Sequence, residues 1–254
     1  MTPTPPPTDS ARKPAPPAAS TRGAPPGAPQ PDEFGPAMLA WVALLLRRQI
    51  ARARLTDLLP PTSSGDAFAG AFVSEVDATT AGRSVVVDSA GGRPPPQPEE
   101  IAQLDASLEQ MRASLHLQLV SLQGIPLGES SVPLATLWER FGLADDEFDL
   151  LMIVLAAALD ARIRRLLAYL QNDVARRRPE AATALSMLLP SGGGARLAWQ
   201  LLKPDGALRF FNLIVVPASD RTERERATWL LERPLSVPDA VAAYIVRGTP
   251  WLDD

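Results

Sequence analysis

Residues 133–170 read PLATLWERFGLADDEFDLLMIVLAAALDARIRRLLAYL, and this stretch decides the fold. Its opening proline and Gly142 delimit a short helix, because proline suits a first helical turn and glycine commonly ends a helix. The acids at 145–147 precede an apolar run to Leu159, which predicts a longer helix whose acidic start suits the helix dipole. After Asp160, apolar residues at steps of three and four predict a third helix. The short helix, the glycine turn and the longer helix together have the shape of a helix-turn-helix.

The segments that follow change from helical to β character. After Pro179 a run rich in alanine and leucine predicts another helix, which ends at the proline and glycines of residues 190–194. Residues 208–216 are rich in β-branched and aromatic side chains and are bounded by prolines, so they predict a strand. The charged residues 219–226 predict an exposed loop, after which residues 229–231 are predicted to return as a second strand.

A last helix is predicted over residues 237–247. Helices followed by a two-stranded hairpin form a winged-helix arrangement. The predicted fold class is therefore mainly α, with a winged-helix-like domain over residues 99–254 that contains a helix-turn-helix and a small β-hairpin.

The N-terminal part has two further segments. Leucines recur at helical spacing from Pro98 to Gly124 and predict a long helix. Residues 36–98 are predicted to hold an N-terminal helix, running to about residue 59, and an irregular linker with one short strand at most. Residues 1–35 carry proline, alanine and threonine with almost no large apolar side chains, so we expect a disordered tail. Pro-x-x-Pro spacings occur in this tail, but a tail so rich in proline produces them by chance.

Composition excludes several classes of function. The 254 residues carry 25 lysines and arginines against 29 acids, a formal net charge of −4, so the whole chain is not a polycation. It has no cysteine, which excludes disulfides and thiolate chemistry. The two longest apolar runs have ten residues each, whereas a membrane-spanning helix needs about 20. Because there is also no secretory signal pattern, we expect a cytoplasmic protein without a transmembrane segment.

Catalytic motifs are missing as well. The single histidine, His116, makes a histidine metal cluster or a Ser-His-Asp relay improbable. The sequence contains no phosphate-binding loop of the Gly-x-x-x-x-Gly-Lys-Ser/Thr type, no Gly-x-Ser-x-Gly elbow and no His-Glu-x-x-His segment. We therefore predict that the chain is not an enzyme and holds no metal or cofactor.

The distribution of charge is uneven. Six arginines and two aspartates lie between Asp160 and Pro179, while residues 139–149 hold five acids and one arginine. Such segregation is typical of a phosphate-binding face, of internal salt bridges or of a charged protein–protein surface. The sequence alone leaves these three interpretations open.

Four runs of residues resemble one known family. They are PLATLWERFGL at 133–143, EFDLL at 147–151, LAAALD at 155–160 and LAYLQNDVARRRP at 167–179. Together they are similar to the winged-helix-type N-terminal region of AAA+ ATPases associated with contractile, phage-tail-like injection systems. The similarity spans about residues 101–254 and is most specific over residues 169–179. Two features depart from the family: Asn172 stands where an acid is commoner, and the Walker A and Walker B motifs are missing.

The resemblance implies a non-catalytic adaptor that joins an AAA+ module to a subunit or substrate of the injection apparatus. The residues that it singles out as partner-binding are the ones in its most specific segment: Tyr169, Asp173, Arg176, Arg177 and Arg178. The alternative is a winged-helix DNA-binding protein that reads a groove with an arginine-bearing helix. A third alternative is attachment to a lipid surface through the basic amphipathic helix at residues 37–54.

Overall fold

The computed structural model of the protein describes residues 34–56, 97–123, 132–189, 194–217 and 230–247. The predicted tail before residue 34, the linker after residue 56 and the charged loop at 219–226 lie outside the described residues. The described part is built mainly from helices, in this order: α1 Phe34–Leu55, α2 Pro98–Ser121, α3 Pro133–Phe141, α4 Asp145–Leu159, α5 Ala161–Leu170, α6 Ala181–Leu188, α7 Gly194–Leu201, α8 Ala207–Phe210 and α9 Asp239–Arg247. Among these helices, none is both long enough and apolar enough to cross a membrane.

Local sequence signals explain the boundaries of α3 and α4. Pro133 lies in the first turn of α3, and Gly142 ends the helix with a left-handed backbone at φ 59°. That conformation favours glycine, because any other side chain would crowd its own carbonyl. The side chain of Glu147 accepts a hydrogen bond from the Ala144 backbone N–H at 3.0 Å, which supplies one half of a capping box. The predicted helices over 133–141, 148–159 and 161–170 are therefore confirmed, with α4 beginning three residues early.

Helix α4 is the centre of the core. Every residue from Phe148 to Ala157 is buried, and the helix contacts α1, α5, α6, α8 and α9. An apolar surface that is continuous around the helix has to be covered on all sides. Helix α4, the longer helix of the predicted helix-turn-helix shape, therefore belongs to the interior of the protein along residues 148–157.

Helix α1 packs into the same core as the C-terminal helices. Trp41, Val42 and Leu46 are buried, and the helix contacts α2, α4, α5 and α6. Its apolar face is thus covered by protein, which argues against the lipid-surface alternative. The predicted domain boundary between residues 98 and 99 stays a prediction.

Polar contacts fix the position of α1. The buried Arg48 donates from Nη1 to Asp105 of α2 at 3.2 Å and from Nη2 to the backbone carbonyl of Met187 in α6. Arg52 donates to the other oxygen of Asp105 at 2.8 Å. Burial and the neighbouring Arg52 charge lower the pKa of Arg48, although the contact with Asp105 opposes this effect. A single carboxylate therefore compensates two arginines at this junction.

The predicted β-hairpin is wrong within the described residues. Most of the segment at 208–216 forms α8 and a turn, and residues 230–232 form a 3-10 turn. Pairing is limited to isolated antiparallel bridges, in which Val215 and Ser236 exchange hydrogen bonds of 2.8 and 3.1 Å and Glu180 lies opposite Pro234. Leu208 is fully buried, and its carbonyl accepts the N–H groups of two residues that follow it, so core packing overrides the β propensity of this segment.

Candidate functional site

Tyr169, the first residue singled out by the resemblance, is a packing residue in α5. It is only 7% exposed. Its hydroxyl accepts a hydrogen bond from Arg54 of α1 at 3.4 Å, and the guanidinium carbon of Arg54 lies 6.0 Å from the centre of the ring. The side chain therefore links α5 to α1 and supports the segment that follows it, with little surface left to offer a partner.

The residues after Tyr169 end α5 in a defined turn. Asn172 adopts a left-handed backbone at φ 52°, and its N–H donates to the carbonyl of Tyr169 at 3.1 Å. The N–H of Asp173 donates to the carbonyl of Ala168 at 3.0 Å. This pair of bonds forms a Schellman motif, in which asparagine is accepted at the left-handed position. Asn172, one of the two departures from the family pattern, therefore has a structural role.

Asp173 shapes the next turn. Its carboxylate accepts the N–H of Ala175 at 2.8 Å and lies 3.1 Å from Nε of Arg176. Arg176 also pairs with Glu180. Both Asp173 and Arg176 are thus engaged inside residues 171–180, which we call the arginine loop.

Gln171 holds the arginine loop together, although no motif or charge pattern in the sequence points to it. Its side-chain amide donates to the carbonyls of Arg176 at 2.8 Å and Arg178 at 3.1 Å. Its side-chain oxygen accepts the N–H of Glu180 at 2.8 Å. One side chain therefore satisfies three backbone groups on the far side of the loop.

The end of the arginine loop is paired with a second segment. The carbonyl of Pro179 accepts the N–H of Leu235 at 2.8 Å, and the N–H of Ala181 donates to the carbonyl of Arg233 at 3.0 Å. The loop is thus fixed at its start by the Schellman turn, in its middle by Gln171 and at its end by this pairing.

Two arginines at the tip of the loop remain exposed. Arg177 donates from Nε to the carbonyl of Val174 at 3.4 Å, and Arg178 follows it directly. In the part of the chain that the structure describes, no carboxylate forms an ion pair with Arg177 or Arg178. Of the residues predicted to bind a partner, these two are the ones that the structure presents to solvent with their charge uncompensated.

The acidic segment at residues 139–149 contributes carboxylates to contacts between helices. Asp149 of α4 is buried and accepts hydrogen bonds from Nε of Arg112 at 2.5 Å and from Nε2 of His116 at 2.9 Å. Asp145 lies 3.4 Å from the other ring nitrogen of His116. The hydrogen bond to Asp149 raises the pKa of His116 above its ordinary value, and this effect outweighs burial of the ring. This cluster joins α2 to α4 and is structural.

A metal site would need several His, Asp or Glu side chains close together. Within the described ranges, no three His, Asp or Glu side chains lie together in a way that could hold a metal ion.

Helices α6 and α7 are consecutive, and a short segment joins them, as in a helix-turn-helix. They contact each other, and α7 buries Ala198 and Leu201 while Arg196, Trp199 and Gln200 are exposed. Trp199 is 65% exposed. In a helix-turn-helix the second helix is the one that enters a DNA groove. Helix α7 therefore has an exposed polar face, which the buried residues 148–157 of α4 lack.

The order of the C-terminal elements defines the class of the protein. Two adjacent helices, α6 and α7, are followed by segments that pair at Val215 and Ser236 and, through Pro234, back to Glu180. This is a winged-helix arrangement in which the pairing is reduced to single bridges.

The family "winged helix domain, variant" matches residues 33–253, so the chain belongs to that family. The predicted winged-helix region is therefore confirmed. Comparisons with curated proteins and with solved structures found no match.

Proposed function

We propose that the chain is a non-catalytic interaction domain that binds an acidic surface of a protein partner through the arginine loop. The observation that carries the proposal is the exposure of Arg177 and Arg178, two adjacent guanidinium groups without a carboxylate partner among the described residues. Guanidinium groups present a planar fork of donors that matches carboxylates in a bidentate manner. A protein surface with clustered aspartates or glutamates is the partner that these groups fit.

The rigidity of the loop supports the same proposal. A loop that is already ordered loses less conformational entropy when it binds than a loop that orders in the complex. Gln171, Asn172 and Asp173 contribute this order through their hydrogen bonds to neighbouring backbone groups. In this account the predicted site divides into two binding arginines and three residues that position them: Tyr169, Asp173 and Arg176.

The family resemblance suggests the setting. Residues 101–254 resemble the winged-helix-type N-terminal region of AAA+ ATPases of contractile injection systems, so we propose a cytoplasmic adaptor that connects an AAA+ module with a sheath or baseplate subunit. The adaptor itself would contribute binding and no chemistry. Charge complementarity of this kind mainly controls specificity and the rate of association.

The test compares two double variants in binding to purified sheath and baseplate subunits. Arg177→Glu with Arg178→Glu reverses the exposed pair, while Arg140→Glu with Arg165→Glu reverses two exposed arginines outside the loop. Each replacement changes the charge by −2, so both variants go from −4 to −8. We expect the loop variant to lose at least tenfold in affinity and the control variant to stay within about twofold. Equal losses of affinity in the two variants would show that the effect comes from net charge alone.

DNA binding is the second candidate function, and it rests on α7. Arginine and glutamine are residues that read guanine and adenine edges, and Arg196 and Gln200 are both exposed on this helix. The net charge of −4 weighs against a strong electrostatic contribution.

A salt titration with duplex DNA separates the two functions. If the arginine loop serves a protein partner, duplex binding is negligible at low salt and Arg196→Ala changes nothing. A steep loss of affinity with salt, together with weaker binding by Arg196→Ala, would favour the DNA function instead.

A further inference from the structure

Three phenylalanines form a cluster at the surface, which we call the aromatic cluster: Phe141, Phe210 and Phe211. The rings of Phe141 and Phe211 have their centres 4.7 Å apart, and those of Phe210 and Phe211 are 5.1 Å apart and nearly perpendicular. Phe210 is 70% exposed and Phe211 is 42% exposed. Exposed apolar groups that lie together, unlike apolar residues scattered singly over a surface, mark interaction sites.

The backbone holds these rings in place. The carbonyl of Leu208 accepts the N–H groups of Leu213 and Ile214, both at 2.9 Å, and Leu208 itself is buried. Arg209 donates to the carbonyl of Leu202 at 3.1 Å, which ties the same turn to the end of α7. The backbone that carries the exposed rings is therefore tied to the core, and exposed aromatic rings can pack against apolar groups of another segment.

The chain contains a segment with the matching chemistry. Residues 1–33 include eleven prolines, and they contain no leucine, isoleucine, valine or aromatic residue. Proline and alanine are thus the apolar groups that this segment can offer, apart from Met1. Proline-rich segments bind protein surfaces lined by aromatic rings, where proline rings stack and little entropy is lost.

We propose that residues 1–33 bind the aromatic cluster of the same chain. Extended at about 3.1 Å per residue, this segment would reach roughly 100 Å, so its attachment at Phe34 does not limit access to any part of the surface. A binding segment on the same chain also acts at an effective concentration on the order of millimolar, so a weak contact suffices. The aromatic cluster is separate from the arginine loop, so this proposal does not depend on the function proposed for that loop.

Paramagnetic relaxation enhancement in the full-length chain tests the proposal. The chain has no cysteine, so Ala18→Cys gives a single site for a nitroxide label. We expect the amide signals of Phe210, Phe211 and Asn212 to lose more than half of their intensity. The matched control surface is the exposed apolar pair Leu117 and Val120 on α2, whose signals should change little.

Two further variants keep the test specific. Replacing all eleven prolines before Phe34 by serine leaves the described residues unchanged, and it should restore the signals of the aromatic cluster. Phe210→Ser should restore them too, without affecting the fold, because that ring is mostly exposed.

Three outcomes would overturn the proposal. The first is the absence of any loss at the cluster, and the second is an equal loss at Leu117 and Val120. The third uses a mixture of spin-labelled chain and isotope-labelled chain: signal loss at the cluster in that mixture would assign the surface to a second copy.

Discussion

The side chain of Gln171 donates a hydrogen bond to the carbonyl of Arg178 at 3.1 Å, across the loop that separates α5 from α6. The same side chain also donates a hydrogen bond to the carbonyl of Arg176 and accepts one from the N–H of Glu180. The consequence is that the position of two exposed arginines depends on a residue that precedes them by six and seven places. Four predictions test this arrangement and the core that supports it.

Gln171→Ala should loosen the arginine loop. Three hydrogen bonds to backbone groups are lost, and we expect the free energy of unfolding to fall by about 1–2 kcal/mol. Hydrogen exchange of the Glu180 N–H should become faster, because its acceptor is removed. Gln103→Ala, at an exposed position of α2, is the control and should leave both quantities unchanged. Unaltered exchange at Glu180 in the Gln171 variant would show that the loop is held by other contacts.

Asn172 should tolerate glycine better than alanine. Its left-handed backbone costs alanine about 1 kcal/mol or more, whereas glycine adopts this conformation freely. Chemical denaturation of the two variants measures the difference directly. If alanine proved as stable as glycine, the backbone of Asn172 would have to differ from the one described.

Stability should depend on the ionisation of His116. The hydrogen bond to Asp149 raises the pKa of His116 in the folded chain above the value of about 6.5 that it has when unfolded. The stabilisation is therefore fully present below about pH 6.5 and is lost as the pH rises through the higher folded pKa. Urea denaturation between about pH 6 and pH 9 should show this decline, and His116→Gln should flatten it. An identical pH dependence in both chains would exclude His116 as its source.

The two arginines that share Asp105 should differ in importance. Asp105→Asn removes the charge that compensates the buried Arg48, and we expect a loss of about 1–3 kcal/mol in the free energy of unfolding. Arg52→Ala removes a more exposed ion pair to the same carboxylate and should cost less than about 1 kcal/mol. The reverse order of the two effects, measured by denaturation, would contradict the role given to Arg48.

The sequence predicted the central helices because local signals and hydrophobic periodicity agree there. Pro133, Gly142 and Asp160 mark helix ends that match the apolar pattern between them. The hairpin was predicted incorrectly because the β propensity of residues 208–216 is a local property. Burial of Leu208 and the turn at Asn212 are decided by packing, which a propensity does not contain.

The candidate site was predictable in part. The arginine run was visible in the composition, and Arg177 and Arg178 are indeed exposed. The pairing of Arg176 with Glu180 and the role of Gln171 depend on how the chain folds back between residues 171 and 180. No periodicity or charge count carries that information.

Site-specific cross-linking tests the central claim most directly. A benzophenone attached at Ala175→Cys lies in the arginine loop and leaves both arginines in place, and the same label at Ala113→Cys, on α2, is the control. The account predicts that a sheath or baseplate subunit is cross-linked from position 175 and not from position 113, and that the cross-linked peptide is rich in aspartate and glutamate. A bound partner that is captured from position 113 alone, or through a peptide without acids, would contradict it.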